Sequence, residues 1–205
     1  MVRHDERGLS LVELLVGMMI LTLASGVFLT TLVSVQRSVA ETDIRTRSNT
    51  QARLAMQTLD HEVRSGNILY DPASSTDPYF RFKIYTQANA TTRQPSPGYT
   101  CRLWRITSTG ELQTRWWPPD RPDLASPWLT AATGVVNKLV TTPLRAFELD
   151  PDPNKGGRTV NVVFLVNEDP QLNLTSGTVK IQSALTGRNT SYGFPTGVCL
   201  TEPAD

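Results

Sequence analysis

The sequence predicts an α+β chain. One long N-terminal helix, membrane-spanning in its first half and amphipathic in its second, packs on a mainly antiparallel β-sheet body. Three observations predict it. From Leu9 to Val35 the only charged residue is Glu13, and such a run crosses a hydrocarbon core of ~30 Å at ~1.5 Å per residue. From Gln36 to Ser65 the chain turns polar, with apolar residues returning at helical spacing. Beyond Gly66 it breaks into short stretches of period two, separated by Gly, Pro, Asn and Asp. The expected segments are therefore 1–8 as a leader, 9–35 as the apolar helix half, 36–65 as the amphipathic half and 66–205 as the body.

The helix is expected from about Leu9 to Ser65. Gly17 and Gly26 lie in its apolar half, either as sites of close helix packing or as glycines a membrane helix tolerates. In the second half Ile44, Ala55, Leu59 and Val63 lie roughly on one face, with Ala52 and Met56 at its edges. That stripe suits packing on a sheet. Asp60-His61-Glu62 resembles a reactive cluster, but consecutive helical residues point in different directions, so a solvated face is expected. Gly66-Asn67 supplies the stop signal.

In the body, Tyr79–Tyr85 alternates as a half-buried strand does. A hairpin follows: Cys101, Leu103 and Ile106 support its first arm, Ser108-Thr109-Gly110 turns the chain, and Leu112–Trp117 return. The proline-rich stretch from Pro118 to Gly134 is expected to be irregular. A second hairpin has arms at about Leu144–Asp150 and Arg158–Val166, since its Pro/Asn/Gly-rich tip cannot continue a strand. Thr178–Leu185 is a further strand.

Composition excludes several function classes. The net charge of the 205 residues is +1, and the basic residues are scattered, so the charge balance does not point to nucleic acid. Arg102, Arg105 and Arg115 on the hairpin are the residues that could meet phosphates. There are two histidines, His4 and His61, and neither belongs to a catalytic triad, nucleotide loop or metal site. The sequence is therefore not read as an enzyme, and it implies no cofactor. The two cysteines, Cys101 and Cys199, have no metal-like spacing. In a body outside the cytoplasm they would form a disulfide; otherwise they are two buried thiols. Trp116, Trp117 and Trp128 either form an exposed binding surface or close a small core. Asp150, Asp152 and Asn154 alternate like the start of a calcium loop. The glycine of that motif falls one place late, however, and Asn161 stands where a glutamate is needed, so a hairpin tip is the expectation.

The N-terminus is not an ordinary secretory signal. The apolar run exceeds the usual ~7–15 residues, carries an acid near its start, and continues through the Ala24-Ser25-Gly26 site where a cut might be sought. A cut before the run, at Gly8, leaves the whole helix on the mature chain and the leader with Arg3 and Arg7 on the cytoplasmic side. The segment "RGLSLVELLVGMMIL" resembles the class III signal of type IV prepilins and of the pseudopilins of type II secretion. The resemblance implies that a prepilin peptidase cuts between Gly8 and Leu9 and that Leu9 is N-methylated. Glu13 then falls fifth in the mature chain, as the family's glutamate does, although Leu9 stands where the family usually has phenylalanine. A charge within a membrane helix costs roughly 2.5–3.5 kcal/mol on insertion scales. In filaments of this family the cost is met by pairing with a neighbouring subunit's α-amino group.

The strand order of the body is similar, as a pattern, to J-type minor pseudopilins and W-type minor pilins. The resemblance thus implies a pilin-like fold, a single pass through the cytoplasmic membrane, and a body outside the cytoplasm. It implies a minor pilin or pseudopilin of a type IV pilus or a type II secretion pseudopilus. The partners would be the prepilin peptidase, sibling minor subunits and the assembly platform. A membrane-anchored surface adhesin or DNA-uptake protein with the same anchor is the alternative.

Overall fold

The computed structural model describes residues 11–88, 95–152, 157–167, 178–187 and 197–204. They fall into two compact units, Met1–Asp43 and Ile44–Asp205. A single helix, α1 (Leu11–Arg64), begins in the first and ends in the second.

In the first unit, Leu11–Ala40 is long and apolar enough to cross a membrane, since 30 residues rise ~45 Å in a helix. Its large apolar side chains are exposed all round the helix, among them Val12, Leu15, Met19, Leu23 and Phe28. The threonine hydroxyls need no outside partner, for Thr22 donates to Met19 O and both Thr30 and Thr31 donate to Val27 O, each at 2.9 Å. Backbone and threonine hydroxyls satisfied within the helix suit it to an apolar surrounding. A Cβ added at Gly17 or Gly26 would meet nothing within 4 Å, so packing within this chain does not require either glycine.

In the second unit, the rest of α1 packs on an antiparallel sheet. Five strands lie in the order β1 (Gly66–Leu69), β2 (Arg81–Ala88), β3 (Pro95–Ile106), β4 (Leu112–Trp117) and β5 (Leu129–Ala132). A second antiparallel sheet has the order β6 (Phe147–Leu149), β7 (Thr159–Val166) and β8 (Val179–Thr186). The expected α+β layout is the one observed.

Period-two alternation gives the larger sheet two apolar layers. Phe82, Ile84, Trp104, Ile106 and Leu112 join Ala52, Ala55, Met56, Leu59 and Val63 of α1, together with Val160, Val162 and Phe164 of β7, in the main core. Tyr85, Cys101, Leu103 and Trp117 point the other way and form a smaller layer with Cys199. The helical stripe read from Ala52 to Val63 is thus the buried one; the side chain of Ile44 lies outside the described set. The backbone at the helix end is closely approached: a Cβ would fall 2.9 Å from Ile84 Cγ2 at Gly66 and 2.8 Å from Val63 O at Gly187.

Three sequence expectations are corrected. Glycine at 66 does not only stop the helix, because it opens strand β1, which pairs with β2. The stretch from Pro118 to Gly134 is not wholly irregular. It holds a short 3₁₀ turn at Pro122–Leu124 and strand β5, which lies against β4 with Leu112 opposite Ala132. Finally, Glu62 does not belong to a solvated face. It is 1% exposed, because it sits seven residues after Ala55 and three after Leu59, on the buried stripe itself. Its neighbours behave as expected: Asp60 pairs with Arg64 at 2.8 Å one turn on, and His61 is exposed.

Candidate functional site

Gly8 and Leu9 lie outside the described residues. Glu13 lies in the first turn of the described helix, where the helix dipole favours a negative charge, and its side chain is exposed. The residues around it are apolar and open, with Leu11 77% and Val12 67% exposed. The Glu13 carboxylate thus sits among uncovered leucine and valine side chains.

The second candidate is the outer layer of the larger sheet. Cys101 on β3 and Cys199 are joined by a disulfide, with Cα atoms 5.8 Å apart. Around it the C-terminal segment 197–204 lies against the sheet as a strap. Tyr70 Oη donates to Val198 O. Glu202 is gripped by two cations that project from the same face of β2, Arg81 Nη2 and Lys83 Nζ, each at 3.0 Å. Arg115 on β4 donates from Nη1 to Ala204 O at 2.9 Å and from Nη2 to Pro203 O at 2.7 Å. Burial, with the neighbouring Tyr85 second, pushes the Tyr70 phenol up to about 12, so it remains a donor at neutral pH. Only the two cysteines of this set stand out in the sequence. The rest are polar residues whose partners lie about a hundred positions away.

The arginines and tryptophans of the β3–β4 hairpin are largely taken up internally. Arg102 and Arg115 are 2% and 3% exposed, and Trp117 is fully buried. Trp128 lies under two guanidiniums, with Arg105 Cζ 3.6 Å and Arg115 Cζ 4.2 Å from its ring centroid, a cation–π arrangement. Trp117 and Trp128 thus belong to, or pack against, the outer layer. Arg102 faces the opposite side, toward Glu62. Its Nε stands 3.6 Å from Glu62 Oε1, while Trp104 Nε1 donates to Glu62 Oε2 at 2.6 Å. Burial raises the Glu62 carboxyl above its ordinary value, with Arg102 and the Trp104 hydrogen bond opposing. Burial likewise lowers Arg102, with Glu62 opposing.

Of the calcium-like residues, Asp150 Oδ1 accepts from Asp152 N at 3.0 Å, the side-chain-to-backbone bond of an Asx turn. Asn154 lies outside the described residues. Among the described residues, no group of three or more His, Cys, Asp or Glu comes together in a way that could hold a metal ion.

Comparison with known proteins bears on the N-terminal segment. Residues 3–29 match the prokaryotic N-terminal methylation motif. No curated protein and no solved structure matches the chain. The match includes Gly8, Leu9 and Glu13 and runs into the exposed apolar helix, a combination that implies processing by a prepilin peptidase and a single N-terminal membrane anchor. The chain therefore carries the signal of type IV prepilin-like proteins at its N-terminus.

Proposed function

We propose that this chain is a structural subunit, a minor pilin or minor pseudopilin, and not an enzyme. It is cut between Gly8 and Leu9, N-methylated at Leu9, and held in the cytoplasmic membrane with its body outside. From there it is drawn into a type IV pilus or a type II secretion pseudopilus beside sibling minor subunits, by an assembly platform. The observation that carries this reading is the methylation motif on residues 3–29, continued by a helix whose apolar side chains are exposed. Such a helix is stable in lipid, and equally against other helices of the same kind. The exchange of one for the other is the mechanism of assembly. The Cys101–Cys199 bridge supports an oxidising compartment for the body. The burial of Arg102 and Arg115 favours assembly over a DNA-uptake role, since Arg102 faces Glu62 and Arg115 is engaged by the strap carbonyls.

Intact-mass measurement of membrane-extracted protein tests the processing. In cells with an active peptidase, the wild type should begin at a methylated Leu9. Gly8→Val should retain its leader, because a side chain there obstructs a site shaped for glycine. A wild-type chain that begins at an unmodified Met1 in such cells overturns the reading.

A further inference from the structure

A cavity of about 510 Å³ opens beside the strap, between the segment after β1 and the outer face of β2. Its size is that of a small-molecule site. Leu200, 67% exposed, and the Tyr70 ring give it an apolar wall, with the buried Leu103 behind them. The remaining lining is polar and mixed in kind. Asp71 and Glu202 offer carboxylate oxygens, Arg81 and Lys83 offer N–H groups, and Ser74 and Thr76 offer hydroxyls that both donate and accept.

These groups keep capacity after their internal bonds are made. Lys83 Nζ has three hydrogens and gives one to Glu202 Oε1 at 3.0 Å. Asp71 takes one bond at Oδ1, from Ala73 N at 2.9 Å, which leaves its second oxygen. The formal charges balance: two cations, Arg81 and Lys83, stand against two carboxylates, Asp71 and Glu202. A free anion would have to compete with Glu202 for the two cations. A cation would have to compete with them for the carboxylates. A neutral ligand that both gives and takes hydrogen bonds along its edge, and has an apolar C–H face, competes with neither. That description is a pyranose ring.

We propose that this cavity binds a neutral sugar unit of a glycan, with Ser74, Thr76, Asp71 and Lys83 on its hydroxyls and Leu200 against its C–H face. The inference is independent of whether the chain enters a pilus or a pseudopilus, because the site belongs to the body alone. Two sources offer this chemistry, the N-acetylated hexosamine of a cell-wall glycan strand and the plain hexose of a surface polysaccharide.

Saturation-transfer NMR on the full chain in a detergent without a sugar headgroup tests it, with N-acetylglucosamine, glucose and glucuronate as probes. Each probe is titrated to ~10 mM, well above the half-saturating level of a millimolar ligand. At least one neutral sugar should receive saturation, and which of the two does so identifies the source. Glucuronate should bind more weakly than the neutral sugar that binds. In Ser74→Ala/Thr76→Val the affinity should fall about fivefold or more, the loss expected for two hydrogen bonds. Both residues are exposed, so the fold should survive, as judged by an intact Cys101–Cys199 bridge. The proposal is overturned if neither neutral sugar binds, if glucuronate binds better than the neutral sugar that does, or if the double variant binds as the wild type does.

Discussion

Glu62 is a carboxylate at the centre of an apolar seam, 1% exposed, and its pH behaviour follows from that position. Burial raises its pKa above the ordinary 4.5, more than Arg102 and the Trp104 N–H lower it. A carboxyl whose folded pKa lies above its unfolded one binds its proton more tightly in the native state. It therefore contributes stability below the ordinary value and loses that contribution as pH rises toward the raised one. The body should lose stability as pH climbs from 4.5 through the raised value, and Glu62→Gln should flatten that part of the curve. Urea unfolding between about pH 4 and pH 8 measures the slope. An identical slope in Glu62→Gln would show that another group titrates. Glu62→Ala should destabilise by about 3 kcal/mol, since it strips a buried carboxylate from beside Arg102 and Trp104. This buried residue is one that the sequence reads as solvated, although its spacing from Ala55 and Leu59 placed it on the buried stripe. Charge outweighed periodicity in that reading, and the partner indole, forty-two residues on, is not visible locally.

At the scale of elements, the long helix, the two hairpins and the strand at Thr178–Leu185 were legible because their signals are local. Period two, period 3.6 and turn residues each act within a few positions. Strands β1 and β5, of four residues each, were not legible, since they are too short to show alternation and are defined by the strands they pair with. The strap was legible only as two cysteines. Its other fastenings, on Tyr70, Arg81, Lys83 and Arg115, join residues that no local pattern links. Those fastenings decide what happens when the bridge is lost. The disulfide spans 98 positions, and for a loop of that order the chain-entropy model gives ~4.7 kcal/mol as an upper guide. Cys101→Ala/Cys199→Ala should therefore lower the stability of the body by about 2–5 kcal/mol. The strap should nevertheless stay docked in the native state, because Glu202 keeps two cations. Non-reducing peptide mapping of wild-type protein from the envelope should find the two cysteine peptides linked. Adding Glu202→Gln to the double variant should then release the strap, seen as new protease cleavage after Cys199 replacement. If the double cysteine variant is already cleaved there, the charge clamp has no holding role.

At the scale of the whole chain, the two compact units divide the work. The body is stabilised by its own core and its own bridge, whereas Leu11–Ala40 leaves its apolar surface to whatever surrounds it. Glu13 belongs to that second part, in the first described turn of the helix, and so its charge should matter for assembly and not for folding. Glu13→Gln keeps the shape and removes the charge. It should ease residence in lipid, because a neutral amide costs less there than a carboxylate. Cleavage should continue, since the cut precedes Leu9. The body should keep its fold, because none of the described residues of the first unit lies in its core. The expected outcome is a stable, cleaved, membrane-resident protein that recovers its sibling subunits poorly. The loss should be about tenfold or more, the worth of one charge-assisted hydrogen bond. Co-purification of tagged Glu13→Gln with those siblings measures it. Recovery equal to the wild type would mean that Glu13 is not the docking charge, and that the helix associates through its apolar surface alone.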